Sequence, residues 1–195
     1  NIFKIFHNLI KKTLISGVSS PGFSLLDIGT GECGDLHKWL STDLAYVVGL
    51  EYNNYNINNG INGGFKRIVQ AMNNERYQNN PLVNKIFLIW SDVSKNIRDG
   101  SSGMDKLNKF YIDALWGNEI DGEMKYLLNN PKIKENRGIF KSGFNILSCQ
   151  FCMHYFFKNI ISLKNFLIYV SDNVVIVCIF IGTCFDCKKI FKLLS

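Results

Sequence analysis

Several residues have the types and spacing to hold a nucleoside. In Leu25-Leu-Asp27-Ile-Gly29-Thr-Gly31-Glu-Cys-Gly34-Asp35, glycines recur in a G-x-G-x-x-G spacing directly after an apolar block. Such glycines let the chain turn sharply and let its backbone approach a ligand where any side chain would intrude. Alone, the string is a weak signal that a structural turn would also satisfy. Two acids sharpen it: Glu51 closes a second apolar block and Asp92 follows a third, so both fall where open α/β sheets bind ligands, at strand carboxyl ends. An acid in the first position can accept ribose hydroxyls, and one in the second can accept from an adenine amino group. The set describes an adenosine pocket, although either acid alone could be a solvated strand end.

Asp27, just before the first glycine, favours S-adenosylmethionine over a dinucleotide. A dinucleotide would place its pyrophosphate at the helix start, where Glu32 and Asp35 would set negative charge against it.

The elements that must position these residues follow from hydrophobic patterning. Apolar blocks at Ser24 to Ile28, Tyr46 to Leu50, Ile86 to Trp90, Phe144 to Cys149 and Val174 to Ile181 alternate with helical patterns, the order of a parallel sheet covered by helices. Blocks that are apolar throughout, rather than alternating, imply strands buried on both faces and exclude a simple antiparallel sandwich. An opening amphipathic helix is expected with Phe3, Phe6, Ile10 and Leu14 on one face, and a later one with Ile161, Phe166, Leu167 and Val170 on one face. Residues 99–142 read as a helical insertion with loops, with an apolar island at Phe110 to Trp116 and a break at Pro131.

The whole chain bounds the rest. A length of 195 residues with 47% hydrophobic and 19% charged residues suits one folded domain, here residues 1–195, and excludes a disordered chain. The net charge of +6 favours an anionic partner without selecting a fold. Six scattered cysteines with no signal peptide predict free thiols in a reduced, intracellular setting. The longest apolar run, Val174 to Ile181, is far short of the ~18 residues a membrane helix needs. Cys149-x-x-Cys152 and Cys184-x-x-Cys187 have zinc-ligand spacing, but alternate strand residues face opposite sides and no metal site is assigned.

Phe144-Asn-Ile-Leu-Ser-Cys149-Gln150-Phe-Cys-Met-His154-Tyr155-Phe-Phe resembles the fourth-strand signature of mRNA cap guanine-N7 methyltransferases, S-C-Q-F-x-x-H-Y. Phe6-His7-Asn8-Leu-Ile-Lys11 resembles that family's opening helix, and Ile181-Gly-Thr183-Cys-Phe-Asp186 its fifth-strand end. The closest likeness is to members from large cytoplasmic DNA viruses. The resemblance implies a Rossmann-like class I S-adenosylmethionine-dependent methyltransferase fold, here truncated before the last two strands. It implies methyl transfer from S-adenosylmethionine to guanine N7 of the 5' cap. The cofactor contacts would be Lys11, Gly29, Gly31, Glu51, Asp92, Gln150 and Tyr155. The cap contacts would be His7, Asn8, Lys38, Arg67 and His154, with no general base, because guanine N7 carries no proton to remove.

Implied partners are the capped RNA 5' end, fused or associated triphosphatase and guanylyltransferase domains, and, in some viral members, an activating subunit. The implied location is the host cytoplasm, in a viral factory or virion, for a virus, and the nucleus for a cell. The pattern is also broken. Members read G-x-G-K-G-G-D, whereas Glu32 and Cys33 stand at the lysine and the following glycine. These changes predict reversed charge near the cap and a strained backbone at Cys33, and they motivate an alternative: an impaired homologue that keeps the fold. Val175 to Cys178 replaces a glycine turn and predicts continued strand with local distortion.

Overall fold

The computed structural model describes residues 2–184. Five strands form one parallel sheet: β1 (Ser24–Ile28), β2 (Tyr46–Glu51), β3 (Ile86–Trp90), β4 (Phe144–Gln150) and β5 (Val174–Thr183), in the spatial order β3-β2-β1-β4-β5. The helices are α1 (Ile2–Val18), α2 (Leu36–Trp39), α3 (Asn54–Asn58), α4 (Gly64–Met72), α5 (Lys106–Trp116), α6 (Pro131–Asn136) and α7 (Ile160–Asp172), with 3-10 turns at Pro81–Lys85, Glu123–Asn129 and Met153–Lys158.

Continuous apolarity in the strands has the expected consequence, since successive side chains point to opposite faces and both faces are covered. On one face Leu25, Val47, Leu88, Ile146 and Ile181 pack with Ile15 of α1, Trp39 of α2 and Ile68 of α4. On the other, Leu26, Val48, Ile89 and Leu147 pack with Ile112 and Trp116 of α5 and Phe166 and Tyr169 of α7. Within the apolar island, Ile112, Leu115 and Trp116 thus join the second core, while Phe110 and Ala114 pack with Ile120 in a smaller cluster; the island lies in the helix that crosses from β3 to β4.

Many asparagines act at helix starts. Asn53, Asn130 and Asn159 each accept a backbone N–H at the start of α3, α6 and α7, the short-side-chain capping that satisfies an orphan donor. Pro131, expected as a break, instead begins α6. The first helical turn needs no donor there.

Two helix faces differ from expectation. Phe3 and Phe6 are exposed, and only Ile15 of α1 is buried. In α7 the buried residues are Phe166 and Tyr169, while Ile161 and Leu167 face solvent. Apolar spacing marks a face, but the elements packed against it select which part is covered. The distortion expected at Val175 to Cys178 is present: β4 pairs Phe144 with Val174 and then Ile146 with Ile179, so β5 bulges there and leaves Ile176 and Val177 exposed.

Chain order makes the site. The sheet grows outward from β1 through β2 to β3, then returns to place β4 on the other side of β1. The reversal opens a crevice at the carboxyl ends of β1 and β4, where connections leave in opposite directions.

Candidate functional site

The glycine turn leaves β1 into this crevice. Gly29 and Thr30 donate their N–H groups to the Leu50 carbonyl at 2.9 and 3.1 Å. Gly29 and Gly31 both have positive φ, +69° and +58°, a region costly for residues with a Cβ. A Cβ on Gly29 would lie 2.8 Å from that of Cys152, whereas one on Gly31 would meet nothing within 4 Å. Gly31 therefore opens onto free space, the cradle a close-lying ligand requires. Cys33 has φ +56°, which is the strained backbone expected for a side chain at that position. Burial pushes its thiol up to about 12, so it is a packing group rather than a nucleophile.

Glu51, last in β2, is buried and braces this turn. One carboxylate oxygen accepts the Gly31 N–H at 2.8 Å; the other accepts the Asn53 N–H at 2.8 Å and the Asn56 amide at 3.2 Å. A carboxylate offers about four acceptor sites, so about one stays free for a ribose hydroxyl, and a second would be freed if Asn56 turned away. Asp92 receives the Ser94 N–H at 3.0 Å and its hydroxyl at 2.6 Å on one oxygen, and its other oxygen lies 3.8 Å from the Lys95 ammonium. Gln150, at the end of β4, donates to the Ser148 hydroxyl at 3.3 Å and accepts from Thr183 at 3.1 Å.

These groups line one cleft of about 670 Å³, within the range of small-molecule sites. Gly29, Gly31, Glu51, Asp92, Gln150 and Tyr155 all border it. Tyr155 is 72% exposed at its rim, with its ring 4.1 Å from that of His154. Sequence reasoning missed Tyr52, Asn53, Asn56, Ser94 and Phe151 on the same lining. The first three closely follow the acid of β2 and could have been found from that position. Phe151 carries no local sign, although its φ of +58° and its ring contact with His7 at 4.5 Å make it a rim element shared with α1.

Lys11, expected beside the cofactor, does not border the cleft. It pairs with Asp35 at 2.7 Å, as does Lys38, and Lys38 also donates to Asn8 at 3.0 Å. Asn8, Lys11 and Lys38 thus form one network around the acid that precedes α2. Arg67 of α4 reaches Glu32 at 3.3 Å. Below the turn, Asp27 is buried, with one oxygen lacking a hydrogen-bond partner. Burial, reinforced by the Asp35 charge, pushes its carboxyl up to about 7 against the lowering effect of the Ser148 and Thr30 hydroxyls and the Lys11 charge.

One cysteine expectation is corrected. Cys149 and Cys152 are disulfide-bonded, where free thiols are expected, because the left-handed backbone at Phe151 brings the strand end and the following turn together. Cys33, Cys178 and Cys184 are free. Cys187 of the second pair, with Phe185 and Asp186 of the fifth-strand likeness, lies outside the described residues. No group of three or more metal-binding side chains occurs among the described residues.

The residues present fit an adenosine-containing methyl donor. An open glycine turn, a buried acid after β2, a second acid after β3 and an amide at the end of β4 face one space, with acceptors for hydroxyl and amino groups and no Lys or Arg among the described residues of its lining.

Comparison with known proteins agrees. Residues 120–195 match the mRNA (guanine-N(7))-methyltransferase domain. The chain is 27% identical over 168 residues to the "Probable mRNA-capping enzyme" of Acanthamoeba polyphaga mimivirus, covering 84% of this chain and 12% of that protein. It is 26% identical over 191 residues to an mRNA cap guanine-N(7) methyltransferase of Cryptococcus neoformans, covering 97% of this chain and 21% of the relative. The chain thus spans a small part of these relatives' lengths. Among solved structures it resembles an S-adenosyl-L-methionine-dependent methyltransferase from Methanococcus maripaludis, with TM-score 0.50 and 12% identity over 94% of this chain and 57% of that one. It also resembles the YcgJ protein of Bacillus subtilis, with TM-score 0.50 and 10% identity over 91% of this chain and 50% of that one. The fold is the Rossmann-like class I methyltransferase fold.

Proposed function

We propose that this chain, a relative of the mRNA cap guanine-N7 methyltransferases, binds S-adenosylmethionine and directs its methyl group to guanine N7 of the capped 5' end of mRNA. The observation that carries the reading is the meeting of Gly31, Glu51, Asp92 and Gln150 on one cleft. The likeness to named cap methyltransferases favours an active enzyme over an impaired homologue.

S-adenosylmethionine, when bound, supplies an electrophilic methyl group on a sulfonium centre. This chain's own residues do the rest. The glycine turn, held open by Glu51 through the Gly31 N–H, accepts the donor's body closely. The spare acceptor of Glu51 meets a ribose hydroxyl, and the oxygen of Asp92 not bonded to Ser94 suits an adenine amino group. Gln150 and Tyr155 border the same cleft, which the base to be methylated would enter. Guanine N7 offers an in-plane lone pair and no proton, so no side chain must act as a base. Rate comes from holding nucleophile and methyl group in line and from a site that suits charge moving from sulfur to the purine. His154 and Tyr155 can stack on the guanine at the rim, and of the expected cap contacts the partly exposed Arg67 can meet phosphates, whereas Lys38 and Asn8 are engaged in the Asp35 network.

We place the triphosphatase and guanylyltransferase steps on other domains or chains, with an activating subunit as a further partner, and assign the viral setting to a cytoplasmic factory. No helix among the described residues is long and apolar enough to cross a membrane.

Two measurements on one preparation test the reading. Calorimetry with S-adenosylhomocysteine should give a 1:1 heat that Glu51→Ala abolishes. Methyl transfer from labelled donor to capped RNA should yield N7-methylguanosine. Absence of both heat and product would refute the proposal.

A further inference from the structure

The basic side chains near the glycine turn are held by acids in two different ways. Lys11 and Lys38 converge on Asp35, whose side chain is 7% exposed, so that cluster is an internal brace. Arg67 and Glu32 are each 38% exposed and can trade partners. The Arg67 guanidinium donates through Nε to the Asn62 carbonyl at 2.9 Å and meets the Glu32 carboxylate through one Nη at 3.3 Å. Glu32 sits between Gly31, which borders the cleft, and Cys33, whose sulfur packs against the start of α4 beside Gly64. The pair therefore joins the cleft's glycine turn to α4 across the rim.

We infer that Glu32 is an intramolecular competitor for Arg67, occupying the guanidinium that would otherwise take the polyphosphate of an incoming anionic substrate, and so sets a weaker substrate affinity. The inference rests on reading this rim as the place where the cap's phosphates arrive. A guanidinium presents a planar fork matched to carboxylate and phosphate alike, so the two compete for the same donors. A polyphosphate carries more charge than one carboxylate and can displace it, but the displaced Glu32 then stays nearby and opposes the same ligand. Removing the carboxylate lifts both effects. An exposed pair of this kind contributes roughly 0.2–1 kcal/mol, which corresponds to a change of about 1.4- to 5-fold in affinity.

The test titrates inorganic tripolyphosphate and the cap dinucleotide GpppG into the wild-type chain and into Glu32→Gln, Glu32→Lys, Arg67→Gln and the Glu32→Gln/Arg67→Gln double variant, at low and high salt. Both positions are partly exposed, so the folded state tolerates these changes. Glu32→Gln should tighten both anions about 1.4- to 5-fold at low salt, with the gain shrinking at high salt. Glu32→Lys should tighten them further, and Arg67→Gln should erase most of the Glu32→Gln gain. Unchanged or weaker binding by Glu32→Gln, an equal gain in the Arg67→Gln background, or no anion binding by any variant each overturns the inference. S-adenosylhomocysteine titrated into the same samples reads the methyl-donor cleft separately. If it binds while Glu32 has no effect on the anions, only this inference fails; if it does not bind and capped RNA is not methylated, the proposed function fails.

Discussion

Asp27→Asn should remove a large pH dependence of stability that originates in one buried carboxyl. In the folded chain this group is shifted from 3.8 to about 7, chiefly by burial. Below the unfolded value both states hold the proton and the site costs nothing. Between about pH 4 and 7 the unfolded chain releases its proton while the folded chain keeps it, so stability falls as pH rises, at about 1.36 kcal/mol per pH unit. Across a window of about three pH units the loss reaches about 4 kcal/mol, complete once pH exceeds the folded value. The amide of the Asp27→Asn variant has no proton to exchange in this range. Urea unfolding of both proteins, followed by tryptophan fluorescence in small pH steps across that window, reads Asp27 together with its coupling to Asp35, because acids not coupled to Asp27 cancel in the difference. The variant should gain on the wild type steadily through this window and level off above it. Asp35→Asn, by removing the second-largest cause of the shift, should narrow the window from above. Parallel pH profiles for wild type and Asp27→Asn would refute the reasoning, since the carboxyl would then be ionised in both states.

Three further outcomes are expected. Glu51→Ala leaves the part-buried Gly31 and Asn53 N–H groups without their acceptor, which costs about 0.5–1.5 kcal/mol for each hydrogen bond lost; Glu51→Gln should lose less, and the thermal midpoint with S-adenosylhomocysteine calorimetry reads both effects. Gly29→Ala combines a left-handed φ with a Cβ 2.8 Å from that of Cys152, so it should cost at least about 2 kcal/mol and abolish ligand heat; a stable, ligand-binding Ala variant would contradict the close packing described. Cys33→Gly relieves about 1–2 kcal/mol of backbone strain but gives up a buried side chain of similar worth, so its urea midpoint should correspond to a stability within about 1 kcal/mol of wild type.

Much of the site is legible in local order. Glu51 and Asp92 follow from the rule that acids at strand ends face ligands, and the five apolar blocks are the five strands with only their ends adjusted; burial on both faces explains that continuous record in β1, β2 and β4, whereas β5 is equally apolar with only Ile181 buried. Cys33 announces its strain by standing where glycine is usual. Other residues are harder to place. Lys11 has the charge and position of a ligand contact, yet Asp35, 24 residues away, takes its ammonium. Phe3 and Ile161 lie on apolar stripes yet are 70% and 67% exposed. Phe151 lines the rim only because its backbone turns left-handed.

By itself the sequence determined the residue types at the cleft, the strands that deliver them and the parallel order that makes a crevice, since each follows from patterning within a few residues. The tertiary structure alone decided how those groups are spent. Glu51 gives an oxygen to Gly31, Arg67 is held by Glu32, and Cys149 bonds to Cys152 around a left-handed residue. Apart from the cysteine pair, these choices join residues 20 and 35 positions apart. All of them depend on which donors and acceptors packing brings within hydrogen-bond or bonding reach, and one-dimensional spacing does not encode that.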